Sequence, residues 1–170
     1  KEVPVEIIRE IIRDTCMAPS SGNGQPWEFI VVNSREVIRK ISDESKANLV
    51  SGIEADPNSP LKKYEAALRD PAFNVFYNAP SLVIIAGPAD VRSLAIDCSL
   101  AAAYFMLAAA NRGLGTCWVA LGSDIRNPEL LKEIGADEGL KIVAPIILGY
   151  PQGPIPEPVR NPPRILKVIG

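Results

Sequence analysis

Two segments of this chain, SLVIIAG at residues 81–87 and KIVAPIILGY at 141–150, are apolar without interruption from Leu82 to Ala86 and from Ile142 to Leu148. A strand with one wet face alternates apolar and polar residues, whereas a strand without alternation is covered on both faces. The sheet these strands build must therefore lie between helical layers. The pattern does not by itself separate a doubly wound parallel sheet from an antiparallel one.

The remaining segments supply those layers. Pro4 followed by Ile7, Ile8, Ile11 and Ile12 predicts an amphipathic helix ending near Met17. WEFIVVN, 27–33, is short and rich in β-branched and aromatic residues and reads as a strand. Ser34 is placed to cap a helix through Val37, Ile38 and Ile41. From 42 to 78 the pattern is irregular, a lid or excursion with a helix around LKKYEAAL. A long helix is expected from Asp90 to Asn111, ended by Gly113 and Gly115. TCWVAL, 116–121, predicts another strand and residues 128–134 a short helix. The last twenty residues hold six prolines and predict an extended arm that cannot extend the sheet. With no repeat or low-complexity segment, residues 1–170 read as a single domain.

Charge and residue usage narrow the chemistry. A net charge of −2 and a pI near 5.3 give no attraction for nucleic acid or anionic lipid. The chain has no histidine, so Ser-His and Cys-His nucleophilic machinery is excluded, and the commonest metal ligand is absent. Cys16, Cys98 and Cys117 are odd in number and far apart, and read as buried small hydrophobes in a reducing compartment. The most apolar run, CSLAAAYFMLAAA at 98–110, is shorter than the roughly 20 residues that cross a bilayer. No signal-like leader opens the chain, so a cytoplasmic location without membrane partners is expected. Asp97 and Glu65 read as helix-surface charges, and Tyr104, Phe105, Met106 and Leu107 as core.

The stretch APSSGNGQPWEF, 18–29, concentrates turn residues, hydroxyls and amides. Asn23 and Gln25 each offer a donor and an acceptor, the combination that reads a heterocycle edge of alternating carbonyls and N–H groups. Trp27 is suited to anchor the turn in the core. A plain connector would use many of the same turn formers. GLGTCW contains G-x-G but follows a helix and precedes a strand, the reverse of a dinucleotide-binding turn.

APSSGNGQPWEFIVV resembles the segment after the first long helix of the nitroreductase superfamily of FMN-dependent oxidoreductases. DCSLAAAYFMLAAANRGLGTCWVAL resembles its central helix and following strand, and ILGYPQGPIPEPVRNPP its ending. The resemblance implies an α+β fold with a mostly antiparallel four- or five-stranded sheet flanked by helices. It further implies an intertwined homodimer with FMN at the interface, and places the alanine-rich helix against the partner. Pro19, Ser20, Ser21, Asn23 and Gln25 would border the flavin, with Trp118, Val119, Ala120, Leu121 and Gly122 along its other side. Ala120 or Leu121 would offer a backbone N–H to flavin N5, where many relatives carry an acidic residue followed by glycine. Arg160 in PVRNPP would grip the FMN phosphate, with Arg164 as the alternative.

Relatives usually open with an Arg-rich segment, R-R-S-x-R, before the point matched by KEVPVEII, so residues upstream of Lys1 are expected. The function implied is transfer of reducing equivalents from NAD(P)H to a quinone or nitroaromatic. A ferredoxin-linked enzyme, a reductive dehalogenase or a flavin-cleaving enzyme of the same fold, and a non-enzymatic flavin-binding protein, would share nearly all these residues.

Overall fold

The computed structural model describes residues 1–136, 139–153 and 157–170. Strands β1 (Glu28–Val32), β2 (Ser81–Pro88), β3 (Gly115–Trp118) and β4 (Leu140–Gly149) form one sheet in the order β1-β2-β4-β3. Every neighbouring pair is antiparallel, so the architecture is α+β and the doubly wound alternative is set aside.

The two apolar runs are the two central strands, and Leu82 through Ala86 are entirely buried. Val83, Ile85, Ala144 and Ile146 pack beneath helices α1 (Val5–Thr15) and α4 (Leu94–Ala110). Leu82, Ile84 and Ala86 pack on the other face, with Ile38 and Ile41 of α2 (Arg35–Ala55), Phe76, and Leu130 of α5 (Pro128–Glu133). Each face of β2 thus has its own helical cover, which is why neither face alternates. Ser34 caps α2 as its position predicts, its hydroxyl accepting from the Val37 N–H at 3.3 Å.

Several boundaries differ from the sequence reading. Residues 42–55 are no excursion but the last two-thirds of α2, which is 21 residues long. Its buried stripe holds Ser42, Ser45 and Lys46 before Ile53, and those polar residues disguise the helical period. Beyond it, a 3₁₀ turn at Pro60–Tyr64 leads into α3 (Glu65–Arg69), where the helix around LKKYEAAL was expected. The long helix begins at Leu94 rather than Asp90.

β3 stops at Trp118 instead of Leu121. Val119 N–H still donates to Pro145 O at 2.8 Å, but proline has no N–H to return, and the chain curls into a 3₁₀ turn at Ala120–Gly122. At the C-terminus, residues 157–170 form neither helix nor strand and are exposed throughout, Val159 to 96% and Leu166 to 83%. This is the extended arm, of which residues 154–156 lie outside the described residues.

Candidate functional site

The turn from Pro19 to Gln25 is held in an uncommon conformation. Gly22, Asn23 and Gln25 have φ of 57°, 57° and 46°, two of them in side-chain-bearing residues that seldom enter this region. Hydrogen bonds account for its persistence. Ser20 Oγ accepts from Gln25 N–H at 3.0 Å, Ser20 O from Asn23 N–H at 3.0 Å, and Gln25 Nε2 donates to Asn23 O and Oδ1 at 3.3 Å. Ser21 N–H crosses to Asp97 Oδ1 at 2.9 Å, and Ser93 Oγ donates to Asp97 Oδ2 at 2.8 Å. Asp97 is 2% exposed, so it is a buried anchor and not the surface charge expected of it. Trp27, 8% exposed, pins the exit of the turn as anticipated. The amides of Asn23 and Gln25 remain exposed.

The second group lies at the β3 edge. Trp118, Val119, Ala120 and Leu121 line a recess of about 450 Å³, completed by Pro60, Leu61, Lys63, Tyr64, Tyr77 and Cys117. The first N–H groups of a helical turn have no intrahelical acceptor. Those of Ala120 and Leu121 find no partner among the described residues, and Trp118 Nε1 is buried without one. Gly122 is fixed by packing, because a Cβ there would enter the ring of fully buried Phe76. Behind the turn, Glu44 Oε1 accepts from Asn127 N–H at 2.9 Å, Arg126 N–H at 3.2 Å and Asn48 Nδ2 at 3.0 Å. Burial works to raise the Glu44 pKa, but these hydrogen bonds outweigh it and hold the carboxyl below its ordinary range.

The two groups do not meet within one chain. The turn feeds β1 and the recess borders β3, the opposite edges of the sheet, three strand spacings or about 14 Å apart across the hydrogen-bonding direction. Among the described residues Arg160 joins neither, its guanidinium donating to Val159 O at 3.5 Å.

The wall formed by residues 60–64 and Tyr77 falls in the region whose pattern was least readable. Ser59-Pro60, a capping residue followed by a first-turn proline, marks its start. Cys98 is buried and its thiol is pushed up to about 11 by burial and then by the Asp97 charge. Cys16 and Cys117 are exposed, contrary to expectation. Both terminate or edge an element, where neighbouring apolar sequence does not ensure cover. Likewise only Phe105 of the Tyr104–Leu107 run is fully buried. Tyr104 and Leu107 are 40% and 69% exposed and continue a stripe with Ile96 and Leu100 along the outer face of α4.

An antiparallel sheet between two helical layers, with a strained polar turn at one edge and an amide-lined recess at the other, defines an α+β fold shared with known flavoproteins. The crystal structure of a nitroreductase with bound FMN from Bacteroides fragilis superposes with a TM-score of 0.83 over 100% of this chain and 90% of that one, at 22% identity. The nitroreductase family model matches residues 1–150, and the chain belongs to that family. An Archaeoglobus fulgidus protein provisionally named NADH dehydrogenase/NAD(P)H nitroreductase is 29% identical over 160 residues, covering 89% of this chain and 76% of that protein. An iodotyrosine deiodinase of Thermotoga neapolitana is 26% identical over 161 residues, covering 93% and 83%. Among the described residues no helix is long and apolar enough to cross a membrane, and no cluster of potential metal ligands occurs.

Proposed function

We propose that this chain is an FMN-dependent oxidoreductase that passes reducing equivalents from NAD(P)H to a small electron-poor acceptor, a quinone or nitroaromatic, and works as a homodimer. The observation that carries the reading is the pair of unpartnered amides at Ala120 and Leu121, on residues that line an open recess. The donor set fits the cofactor. Those amides can donate to a ring nitrogen, the exposed amides of Asn23 and Gln25 suit a pyrimidine edge of alternating donors and acceptors, and the Arg160 guanidinium suits a phosphate dianion.

A single copy presents these groups on opposite edges, so the reading requires a second copy to bring the turn to the recess. The stripe Ile96, Leu100, Tyr104 and Leu107 on α4 is spaced to pack across a two-fold, and the exposed apolar side chains of the arm, Ile165, Leu166, Val168 and Ile169, also favour association. Residues 1–170 then act as one FMN-binding unit per subunit.

FMN, when bound, supplies the redox chemistry. The protein would bind and orient it, with the Ala120 and Leu121 amides as donors to its ring edge. In the overall reaction NAD(P)H, a proton and a quinone give NAD(P)⁺ and the hydroquinone. No acid or base side chain is needed where water delivers the protons, which is consistent with a chain lacking histidine.

Similarity to an iodotyrosine deiodinase favours one alternative acceptor, an aryl halide whose carbon–halogen bond is replaced by carbon–hydrogen with release of halide. The test is a titration of FMN-reconstituted protein under anaerobic conditions. Absorbance in the flavin band should bleach with NADH or NADPH and return with quinone. Return only with a halophenol would select the dehalogenase, and failure to retain FMN would overturn both readings.

A further inference from the structure

The recess beside Ala120 and Leu121 has a chemical character of its own. Leu61, Ala120 and Leu121 contribute apolar lining, while Tyr64 and Tyr77 add two exposed aromatic rings and Lys63 an ammonium group. Among the described residues no carboxylate lines it.

Lys63 stands apart from the cations around it. Lys62 pairs with Glu65 at 2.7 Å, and Arg69 with Glu54 and Glu65 at 2.7 and 2.9 Å. Among the described residues Lys63 has no acidic partner, and its Nζ rests 4.9 Å from the centre of the Tyr64 ring. A cation parked on an exposed ring is held weakly and exchanges readily for an anionic oxygen.

Tyr77 is presented at a conformational cost. Tyr77 and Asn78 have φ of 53° and 56°, consecutive side-chain-bearing residues in the left-handed region. The preceding chain is fixed, because Ser42 Oγ accepts from Val75 N–H at 3.0 Å and Asn74 Oδ1 from Phe76 N–H at 2.8 Å. Phe76 is thereby buried completely, and Tyr77 is turned out, 63% exposed, its ring meeting Phe73 edge-on with centroids 6.2 Å apart. An ordinary surface turn would relieve this strain with glycine or asparagine in place of tyrosine.

We propose that the recess selects a planar aromatic acceptor bearing an anionic substituent such as a carboxylate, with Tyr64 and Tyr77 meeting the ring and Lys63 as the specificity-determining residue. This rests on the preceding reading that FMN is bound along the β3 edge, and it narrows the acceptor from any electron-poor aromatic to anionic ones. The volume of about 450 Å³ lies within the range of small-ligand sites, roughly 300–1,000 Å³.

The test compares 4-nitrobenzoate with 4-nitrobenzamide, nearly equal in shape and different in charge, on FMN-loaded protein. Two readouts are taken, calorimetric Kd for the oxidised protein and kcat/KM with NAD(P)H. Wild type should favour the benzoate in both. Lys63→Met should erase that preference, about a tenfold loss for the benzoate alone, as expected for one charge-assisted hydrogen bond. Lys63→Arg should restore it and Lys62→Met should leave it intact. A benzoate-to-benzamide ratio unmoved by Lys63→Met, or a wild-type preference for the amide, overturns this inference while leaving the FMN assignment standing. Failure to retain FMN overturns both.

Discussion

The Ser21 N–H donates to Asp97 Oδ1 at 2.9 Å across 76 residues of sequence, tying the polar turn to the first turn of α4. Asp97 is 2% exposed and receives its second hydrogen bond from Ser93 at 2.8 Å. Asp97→Ala leaves the turn without its anchor and deprives the Ser21 N–H and the Ser93 hydroxyl of their acceptor, and is expected to cost about 1–3 kcal/mol in urea unfolding. Asp97→Asn, which retains an acceptor oxygen for Ser21, should cost less. Equal losses for the two variants would show that the hydrogen bond to the turn is not what Asp97 contributes.

Lys46 is 7% exposed, and its Nζ donates to Asp70 O at 2.6 Å and Phe73 O at 2.7 Å. It fastens the end of α3 and the segment leading to Tyr77 onto α2. Replacement by Met keeps an unbranched apolar stem but leaves two carbonyls unpaired, for an expected loss of about 1–3 kcal/mol. Amide hydrogen exchange should quicken within residues 70–78 before it does in the central strands. Uniform acceleration across the chain would assign Lys46 a global role instead.

Gly122→Ala forces a methyl into the Phe76 ring. Overpacking of this kind costs about 1–3 kcal/mol. Phe76→Leu costs stability alone by opening space, so the double variant should be more stable than the sum of the two predicts. Strict additivity in the cycle would mean that the two residues do not meet.

Glu44 links acidity to stability. Its folded pKa lies below the ordinary 4.5, so its contribution is fully present above that value and is lost as pH falls through the lower folded value. The urea midpoint of the wild type should therefore decline as pH drops below about 4.5, and Glu44→Gln should flatten that part of the decline. An unchanged pH profile in the variant would exclude the linkage.

The thiols should divide in a labelling experiment. Cys98 is buried with its pKa pushed up to about 11, so almost none of it is thiolate at pH 8. Native protein treated with iodoacetamide should carry label on exposed Cys16 and none on Cys98, read by peptide mass spectrometry. Cys98 should react only once the chain is unfolded.

The parts of the fold readable in advance are those where one physical cause dominates. Unbroken apolar runs mark β2 and β4, and a capping serine marks the start of α2. Strand direction was not among them, because parallel and antiparallel strands buried on both faces carry the same pattern, and family resemblance supplied it. The extent of α2 was hidden by Ser42, Ser45 and Lys46 on its buried side. The turn at 19–25 and the edge at 118–122 stood out by composition, yet nothing in their spacing revealed that they flank opposite edges of the sheet. Asp97 reads in sequence as a helix-surface charge. Its burial depends on a partner 76 residues away, which no local window contains.

The separation of turn and recess bears on genetics as much as on chemistry. Under the proposed dimeric reading, each working centre borrows half its parts from a neighbour. Two alleles, one damaged at Asn23 and the other at Leu121, would then complement when co-expressed, because a mixed pair unites the undamaged halves at one of its two centres. Selection on the cofactor pocket and selection on self-association would be inseparable in such a protein.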